Sequence, residues 1–575
     1  MTNDQIAAAL EEVGTLLDLR GENPFRANAY HAGARTVEQL SEPVAALAAE
    51  GKLAGVRGIG ETLREAITAL VVDGHWDTLD ELRAATPPGL LEMLKLPGLG
   101  PKKVKALADA GIPDVQALEA ACKAGTVATL KGFGAKTQQK ILDGIAFLAT
   151  AGTRVRIDVA SQIADRVVAT LRKVKGVQRV EACGSLRRRK ETIGDLDFLA
   201  CGANKTAIMD AFAGVDGVSQ VLNRGDTLMS VMLARGEGVH RTELRADLRV
   251  VAPEQFAHAL HHFTGSKAHN VTMRGRAKDR GYKINEYELL GPKGPVPCKD
   301  ESAFFTALGL DYIPPELRED TGEIAAAEKH TLPKLVDVKD IKGVFHNHTR
   351  ASDGTATLAE MADAAQALGF QYLGIADHSQ SLVVANGLTP ARVRHQHREI
   401  DELNDTFDGF RIFKGTESDI LPDGSIDFSD DVLATFDYVV ASVHTSFGLS
   451  REDQTARIIK AVRHPKVTML GHSTGRLLLQ REGYAVDLDA VLKAAADAGT
   501  MVEINAQPKR LDLDWVHARR AKDLGITLVI NPDAHSTDEL EMYVYGVDVA
   551  RRAWLEKKDV FNTQTLAQVS KTLGV

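Results

Sequence analysis

The chain has 575 residues, 44% of them apolar and 26% charged, which is enough hydrophobic side chain for three or four packed domains. Its first residues lack a basic segment followed by an apolar run, and no apolar stretch approaches the roughly 18 residues of a membrane span, so secretion and membrane insertion are not expected. A net charge of −9 argues against a uniformly basic polyanion binder, yet residues 172–190 hold eight Lys or Arg against one Glu. Such a cluster is either a solvated face or a local polyanion contact. The four cysteines, Cys122, Cys183, Cys201 and Cys298, stand apart without a CxxC pair, the pattern of reduced thiols in a cytoplasmic protein.

In chain order, residues 1–150 read as helices separated by glycine turns. Three segments share one design: VRGIGETLREAI (56–67), LPGLGPKKVKAL (96–107) and KGFGAKTQQKIL (131–142). In each, two glycines (Gly58 and Gly60, Gly98 and Gly100, Gly132 and Gly134) free the backbone to turn. The amides at the start of the next helix then face an anion. Lys102, Lys103 and Lys136 add charge at that helix end. A single G-x-G is only a helix–helix turn; three in series resemble helix-hairpin-helix motifs, which grip a DNA backbone without reading bases.

From 153 to 255 the pattern changes to strand-like runs, RVEACGS, DLDFLAC, MSVMLA and RADLRVV. Asp195 and Asp197, at i and i+2 of a strand, point to one side, and Asp247 in a later strand is suited to complete a triad. Three carboxylates can hold two divalent ions for in-line phosphoryl transfer. Eleven residues upstream, Gly184 and Ser185 are placed to cradle terminal phosphates, with Arg188 as a charged clamp. Residues 256–315 read as helical and then irregular, and 316–342 as a polar linker.

Between 343 and 535 seven apolar strands alternate with amphipathic stretches, the signature of a (β/α) barrel or a doubly wound sheet. Six of them run into metal-ligand residues: GVFHNH (His346, His348), with Asp353 just beyond, YLGIADH (Asp377, His378), RIFKGTE (Glu417), YVVASVH (His444), VTMLGH (His472) and LVINPDAH (Asp533, His535). The seventh, MVEINA, carries no ligand in this reading. Ligands from six strands favour a barrel, whose strand ends converge. An isolated histidine at a strand end is usually just hydrogen-bonded; a series of them indicates several divalent ions and metal-assisted hydrolysis.

Together GSLRRRKETIGDLDFL, FTGSKAHNVTMRGRA and KINEYEL resemble the nucleotidyltransferase core of family X DNA polymerases. NPFRANAYHAGART and the glycine turns resemble that family's small amino-terminal domain, and the ligand string resembles a PHP (polymerase and histidinol phosphatase) domain. The resemblance, to the bacterial members of the family, covers nearly the whole chain. It implies a multidomain α+β and α/β chain with a helix-hairpin-helix N-terminal region, a family X palm and thumb, and a C-terminal PHP (β/α)7 barrel. The boundaries it implies are a DNA-end-binding, lyase-like domain at 1–85, a fingers-like domain at 86–150, the palm at 151–255, the thumb at 256–315, the linker at 316–342 and the barrel at 343–575.

By the same resemblance Asp195, Asp197 and Asp247 bind catalytic Mg²⁺ or Mn²⁺. Gly184, Ser185, Arg188, Phe263, Gly265, Lys267, Asn270 and Arg274 contact the incoming nucleotide. His346, His348, Asp353, His378, Glu417, His444, His472, Asp533 and His535 form a PHP site for Zn²⁺ or Mn²⁺. Nine mixed ligands suit three ions with Glu417 as a bridge, and Asp377 suits an orienting role beside His378. Arg26 and Tyr30 are expected at a DNA end.

This chain departs from the family pattern at four positions. His262 replaces a tyrosine before Phe263, which puts discrimination against ribonucleotides in question. Lys267 replaces an acidic residue and should attract a triphosphate. Asp353 stands where many PHP domains have histidine. Ala66 stands where beta-type lyases have their Schiff-base lysine, so that lyase chemistry is not expected. His258, His261 and His262 cluster near the nucleotide residues and read as packing or template-side groups.

The expected function is a gap-filling repair polymerase fused to a metal-dependent 3′–5′ exonuclease, with cleavage at abasic sites a further activity of PHP relatives. Its expected partners are gapped or primed DNA and dNTPs, and it is expected to be a cytoplasmic, nucleoid-associated monomer. The alternatives are a barrel that is a small-molecule phosphatase or a structural metal-binding part.

Overall fold

The computed structural model describes residues 3–151 except 39, 41–43, 50, 57, 73, 95, 97 and 98, and then 154–235 and 242–575. Gly98, expected in the second glycine turn, lies outside the described residues. The chain forms two compact units, Met1–Gly152 and Thr153–Val575.

The first unit is helical. Helices α1 (Asn3–Arg20) and α2 (Pro24–Glu38) pack side by side and share a core with α3 (Glu61–Val72). Helix α3 shows why: Leu63, Ala66, Ile67 and Leu70, at i, i+3, i+4 and i+7, are its buried residues. Two of the glycine turns lead into α4 (Pro101–Asp109) and α5 (Ala135–Ala151). Tyr30 corrects an expectation. It is 3% exposed, with its ring 5.7 Å from Trp76, so it is a core residue rather than part of a DNA-facing surface. Its position on the buried stripe of α2, beside Ala27 and Ala34, accounts for this.

The second unit holds a five-stranded sheet and a seven-stranded one. In the first, β1 (Val177–Ala182), β2 (Asp195–Gly202), β3 (Val218–Arg224), β4 (Leu228–Arg235) and β5 (Thr242–Val251) lie in the order β1-β2-β5-β4-β3. Strands β2 and β5 are parallel, with Asp197 opposite Asp247 and Asp195 opposite Arg245. Helices α6 (Phe256–Thr264) and α7 (Lys267–Asp279) follow, and α6 packs on β2.

The segment 316–342, read as a linker, is packed. Arg318 is fully buried and donates to Glu301 at 2.6 Å and to the Ile313 carbonyl at 2.9 Å. Glu323 is also fully buried, 2.7 Å from His269 Nδ1. Leu317, Ile324, Ala327, Val336 and Ile341 are buried as well, but at spacings without a regular period and among polar residues, which is why a hydropathy pattern hides the segment.

The third region matches the expected barrel. Strands β6 (Gly343–Val344), β7 (Tyr372–Ile375), β8 (Arg411–Asp419), β9 (Tyr438–Ser442), β10 (Met469–Leu470), β11 (Met501–Asn505) and β12 (Leu528–Asn531) run parallel in sequence order. A bridge between Asn347 and Ala534 nearly closes the ring, and the His348 amide donates to the Ala534 carbonyl at 2.8 Å. An aromatic cluster of Phe345, Tyr372, Phe413, Tyr438 and Phe561 fills the interior. Gly374 and Gly415 make room for Tyr438: an added Cβ would lie 2.4 Å and 2.1 Å from its ring atoms and hydroxyl. No described helix is long and apolar enough to cross a membrane.

Burial alone would raise the Glu301 carboxyl, but Arg318 and Arg187 outweigh it and hold it at about 2, against an ordinary value of 4.5. Because the folded value is depressed, this pairing stabilises the fold above pH 4.5 and its contribution is lost as pH falls from 4.5 towards 2. Glu301→Gln, which leaves Arg318 buried with a weakened partner, is therefore expected to cost about 3 kcal/mol at pH 7. In urea denaturation of the two proteins, the gap should narrow at pH 3; an equal gap at both pH values would contradict this account.

Candidate active sites

The first site forms where the sheet meets α6 and α7. Cys183 donates its amide to the Asp197 carbonyl at 2.7 Å, which pins the turn carrying Gly184 and Ser185 against β2. Gly184 has φ +59°, and an added Cβ would lie 2.3 Å from Asp197 Oδ2, so only glycine lets this turn approach the carboxylate. A cleft of about 430 Å³ is lined by Gly184, Ser185, Arg188, Asp195, Asp197 and the stretch from His262 to Arg274. All eight residues expected to contact the nucleotide line it, and Thr264 and Val271 join them.

Charge in this site is unbalanced. Burial raises the Asp197 carboxyl, and the neighbouring Asp195 and Asp247 raise it further, to about 7, despite Arg249 and Arg188. Arg245 is bound to both oxygens of Asp247 at 2.9 and 3.0 Å. Three carboxylates gathered at the mouth of an open cleft suit divalent cations on charge grounds alone. His262, the departure from tyrosine, is held: its Nδ1 lies 3.3 Å from Arg274 Nη2, and its carbonyl accepts from Asn270 Nδ2 at 2.8 Å. Phe263 lies under the Arg249 guanidinium, 4.5 Å from ring centre to Cζ. His258 and His261 are buried, and His261 packs on Phe304 with ring centres 4.3 Å apart.

The second site is at the C-terminal ends of the barrel strands. Glu417, 1% exposed on β8, occupies its centre. One carboxylate oxygen lies 3.2 Å from His346 Nε2, 3.0 Å from His378 Nδ1 and 3.6 Å from His348 Nε2; the other lies 3.2 Å from His444 Nε2 and 2.9 Å from His472 Nε2. Asp533 Oδ1 is 3.2 Å from His348 Nε2, and Asp353 Oδ2 is 3.4 and 3.5 Å from the Nε2 atoms of His378 and His535. Eight of the nine expected ligands fall into three groups with metal-binding spacing: His348, Asp353, His378 and His535; His346, His348 and Asp533; and His378, Glu417 and His444. His472, the ninth, reaches the same centre through Glu417.

Whether cations fit here can be tested on the unused atoms. His346 Nε2, both ring nitrogens of His348, His378 Nδ1 and Glu417 Oε1 are buried without a hydrogen-bond partner. Buried polar atoms are rarely left so, and such atoms gathered around one centre fit the donor set of a metal site. Burial opposes protonation of His378, but Glu417 and Asp353 outweigh it and raise its imidazole to about 10, a measure of how strongly the site attracts positive charge.

The ring tautomers are set from behind. His346 Nδ1 meets Glu503 at 2.7 Å, His444 Nδ1 meets Asp419 at 2.5 Å, and His535 Nδ1 meets the Asp533 carbonyl at 3.0 Å, so each Nε2 is left facing inward. Glu503 and Asp419 escaped the sequence reading, although each leaves a signal. Glu503 is a lone acid in the strand MVEINA, which is therefore not chemically silent, and Asp419 lies two residues beyond Glu417 on the same strand. Asp377 is turned away from the cluster. It accepts from Thr349, Ser352 and Gln396 and thereby fixes the loop that carries Asp353.

In the helical unit, Gly58 and Gly132 have φ of +95° and +87°. An added Cβ at Gly60, Gly100, Gly132 or Gly134 meets no described atom within 4 Å. Lys102 and Lys136 are exposed beside the starts of α4 and α5, with Lys103 half-buried next to them. Arg26 is exposed and pairs with Glu22 at 3.1 Å. Ala66 is buried in the core, so its position on α3 offers no access to a DNA sugar.

Comparison with known proteins agrees with this geometry. Family models match residues 1–76 (helix-hairpin-helix domain), 90–146 (SAM-like helix-hairpin-helix tandem), 259–319 (DNA polymerase beta thumb) and 345–507 (PHP domain). The DNA polymerase/3′-5′ exonuclease PolX of Bacillus subtilis is 38% identical over 576 aligned residues, covering 100% of this chain and 99% of its own. Rat DNA polymerase lambda is 25% identical over 55% of this chain and 56% of its own. A probable phosphatase of Thermoanaerobacter is 26% identical over 38% of this chain and 89% of its own. A full-length match at this identity, joined to a polymerase thumb and a PHP barrel, leaves one assignment: the chain belongs to the bacterial PolX family.

Proposed function

We propose that this chain is a gap-filling DNA-directed DNA polymerase that carries a metal-dependent 3′–5′ exonuclease in its barrel. The observation that carries the reading is the pair of separate sites, three carboxylates beside a phosphate cradle and a histidine-rich cluster around Glu417, within one chain. The domain limits we assign are 1–85, 86–150, 151–255, 256–315 and 343–575, with 316–342 as a packed connection.

In the polymerase site Asp195, Asp197 and Asp247 would hold two Mg²⁺ or Mn²⁺. Bound there, the ions supply a more acidic primer 3′-hydroxyl and neutralise the departing pyrophosphate. The protein's part is positioning. The amide of Gly184 and the hydroxyl of Ser185 receive the phosphates, Arg188 and Lys267 offset their charge, and Phe263, Asn270 and Arg274 face the sugar and base. His262, which accepts from Arg274, takes the place of the tyrosine that would exclude a 2′-hydroxyl.

In the barrel His346, His348, Asp353, His378, Glu417, His444, His472, Asp533 and His535 would hold three ions, Zn²⁺ or Mn²⁺. Such ions supply a hydrolytic nucleophile and charge neutralisation at a phosphodiester. Glu503, Asp419 and the Asp533 carbonyl keep the imidazoles in the binding tautomer.

The helical unit is assigned to DNA backbone contact. Its open glycines let the duplex approach, and Lys102, Lys103, Lys136 and Arg26 lie at or near helix starts. Gly58 and Gly132 supply the turns that aim those helices. Cytoplasmic, nucleoid-associated action as a monomer is part of this proposal. A second reading, favoured by the match to probable phosphatases, is that the barrel hydrolyses small phosphate monoesters. Rates on 3′-labelled single-stranded DNA against a panel of sugar and nucleoside monophosphates separate the two.

On a gapped duplex, Asp195→Ala/Asp197→Ala should abolish extension and spare digestion, while His444→Ala should lower digestion by about 100-fold and spare extension. Loss of both activities in either variant would refute the two-site assignment. Glu503→Gln should lower metal content or nuclease rate by about 10- to 100-fold with extension intact, checked by metal analysis of the purified protein. Lys102→Ala/Lys136→Ala should reduce the slope of log affinity against log salt for duplex DNA by about 2, roughly one per lysine. An unchanged slope would remove those residues from the interface.

A further inference from the structure

The turn joining the phosphate cradle to the Asp195–Asp197 pair is held from outside its own sheet. It reads Arg187-Arg188-Arg189-Lys190-Glu191. Arg187 is bound within the same region, to Glu301 at 2.6 Å and to Thr264. The next residues are tied to the barrel.

Arg188 donates from Nε to Glu319 at 3.0 Å and from Nη1 to the Thr264 carbonyl at 2.5 Å. Arg552, 2% exposed at the end of barrel helix α8 (Tyr543–Arg552), lies 3.5 Å from the same Glu319 oxygen and donates to the Arg188 carbonyl at 3.4 Å. Arg189 adopts φ +57°, a left-handed conformation unfavourable for a side-chain-bearing residue, and its guanidinium lies 3.6 Å from Asp548 on α8. Glu191 accepts from Arg476, in the loop after β10, at 3.0 Å, and the same arginine binds the carbonyls of Arg510 and Leu511 beside the barrel site. Three barrel side chains thus grip the palm turn, which carries a strained residue at its middle. Strain of that kind persists only where surrounding contacts determine the backbone.

We propose that the barrel is a positioning partner of the polymerase site, in which Arg552, Asp548 and Arg476 hold the 188–191 turn so that Arg188 can receive a nucleoside triphosphate. Arg552 has a defined part in this. When a triphosphate draws the Arg188 guanidinium away, the half-buried Glu319 carboxylate loses that partner, and Arg552, 3.5 Å from the same oxygen, remains to balance its charge. The barrel therefore lowers the cost of releasing Arg188 to the nucleotide. The proposal rests on the reading of Arg188 as a triphosphate contact.

The experiment measures single-nucleotide insertion by the full chain on a gapped duplex, beside digestion of a single-stranded primer without dNTP. Arg552→Lys should raise KM for dNTP by about 10-fold, with kcat and digestion within about 2-fold of the parent. Asp548→Arg should raise KM as well, and adding Arg189→Asp should restore it, a rescue that simple loss of packing would not give. Arg188→Ala tests the underlying reading. If Arg188→Ala raises KM while the barrel variants do not, the coupling is wrong and the nucleotide assignment stands. If Arg188→Ala leaves KM unchanged, the assignment itself fails. Should Arg552→Lys lose both activities through misfolding, the Asp548 and Arg189 exchange decides, and failure of that rescue overturns the proposal.

Discussion

A buried carboxylate at the centre of the barrel sets the terms for everything around it. Glu417 is 1% exposed, and five imidazoles, from the ends of four different strands, lie within 3.6 Å of its oxygens. An ionised group so far from water persists only with opposite charge and directed donors around it. The parallel strands must therefore bring their C-terminal ends to one place, which requires a barrel rather than an open sheet. The aromatic plug beneath and the near-closure through Asn347 and Ala534 are the packing consequences.

The polymerase site meets the opposite demand. There the carboxylates gather without enough positive charge, and burial together with Asp195 and Asp247 raises Asp197 to about 7. Its cleft is lined instead by Arg188, on the turn after Ser185, and by Lys267 and Arg274 on α7. Both sites thus gather side chains that suit divalent cations, one through histidines together with carboxylates and one through carboxylates. The turn between cradle and carboxylates is where the two halves meet, through Arg476, Asp548 and Arg552.

Much of this was legible in residue order. The seven strands were readable because a parallel strand is a short apolar run, and the ligands because they follow those runs directly. The acids behind the histidines were harder to see. Glu503 sits within a strand that looked empty of chemistry, and only its approach to His346 and the His472 amide reveals its work. Residues 316–342 read as a linker because Arg318 and Glu323 look solvated, whereas each is fully buried against a partner distant in sequence. Tyr30 was expected at a DNA end by resemblance alone, and the packing of α2 turns its side chain inward.

The sequence by itself determined the kinds of element, their order, the ligand types and the family, since these depend on local periodicity and on motifs with short spacing. Only the tertiary structure decided which acid orients which histidine, which polar residues are buried, and that the barrel holds the polymerase turn. Those pairings join residues as far apart as Arg188 and Arg552 or Glu191 and Arg476. Their attraction is strong only where both partners are withdrawn from water together and has to offset the cost of that withdrawal, a condition that no local stretch of chain encodes.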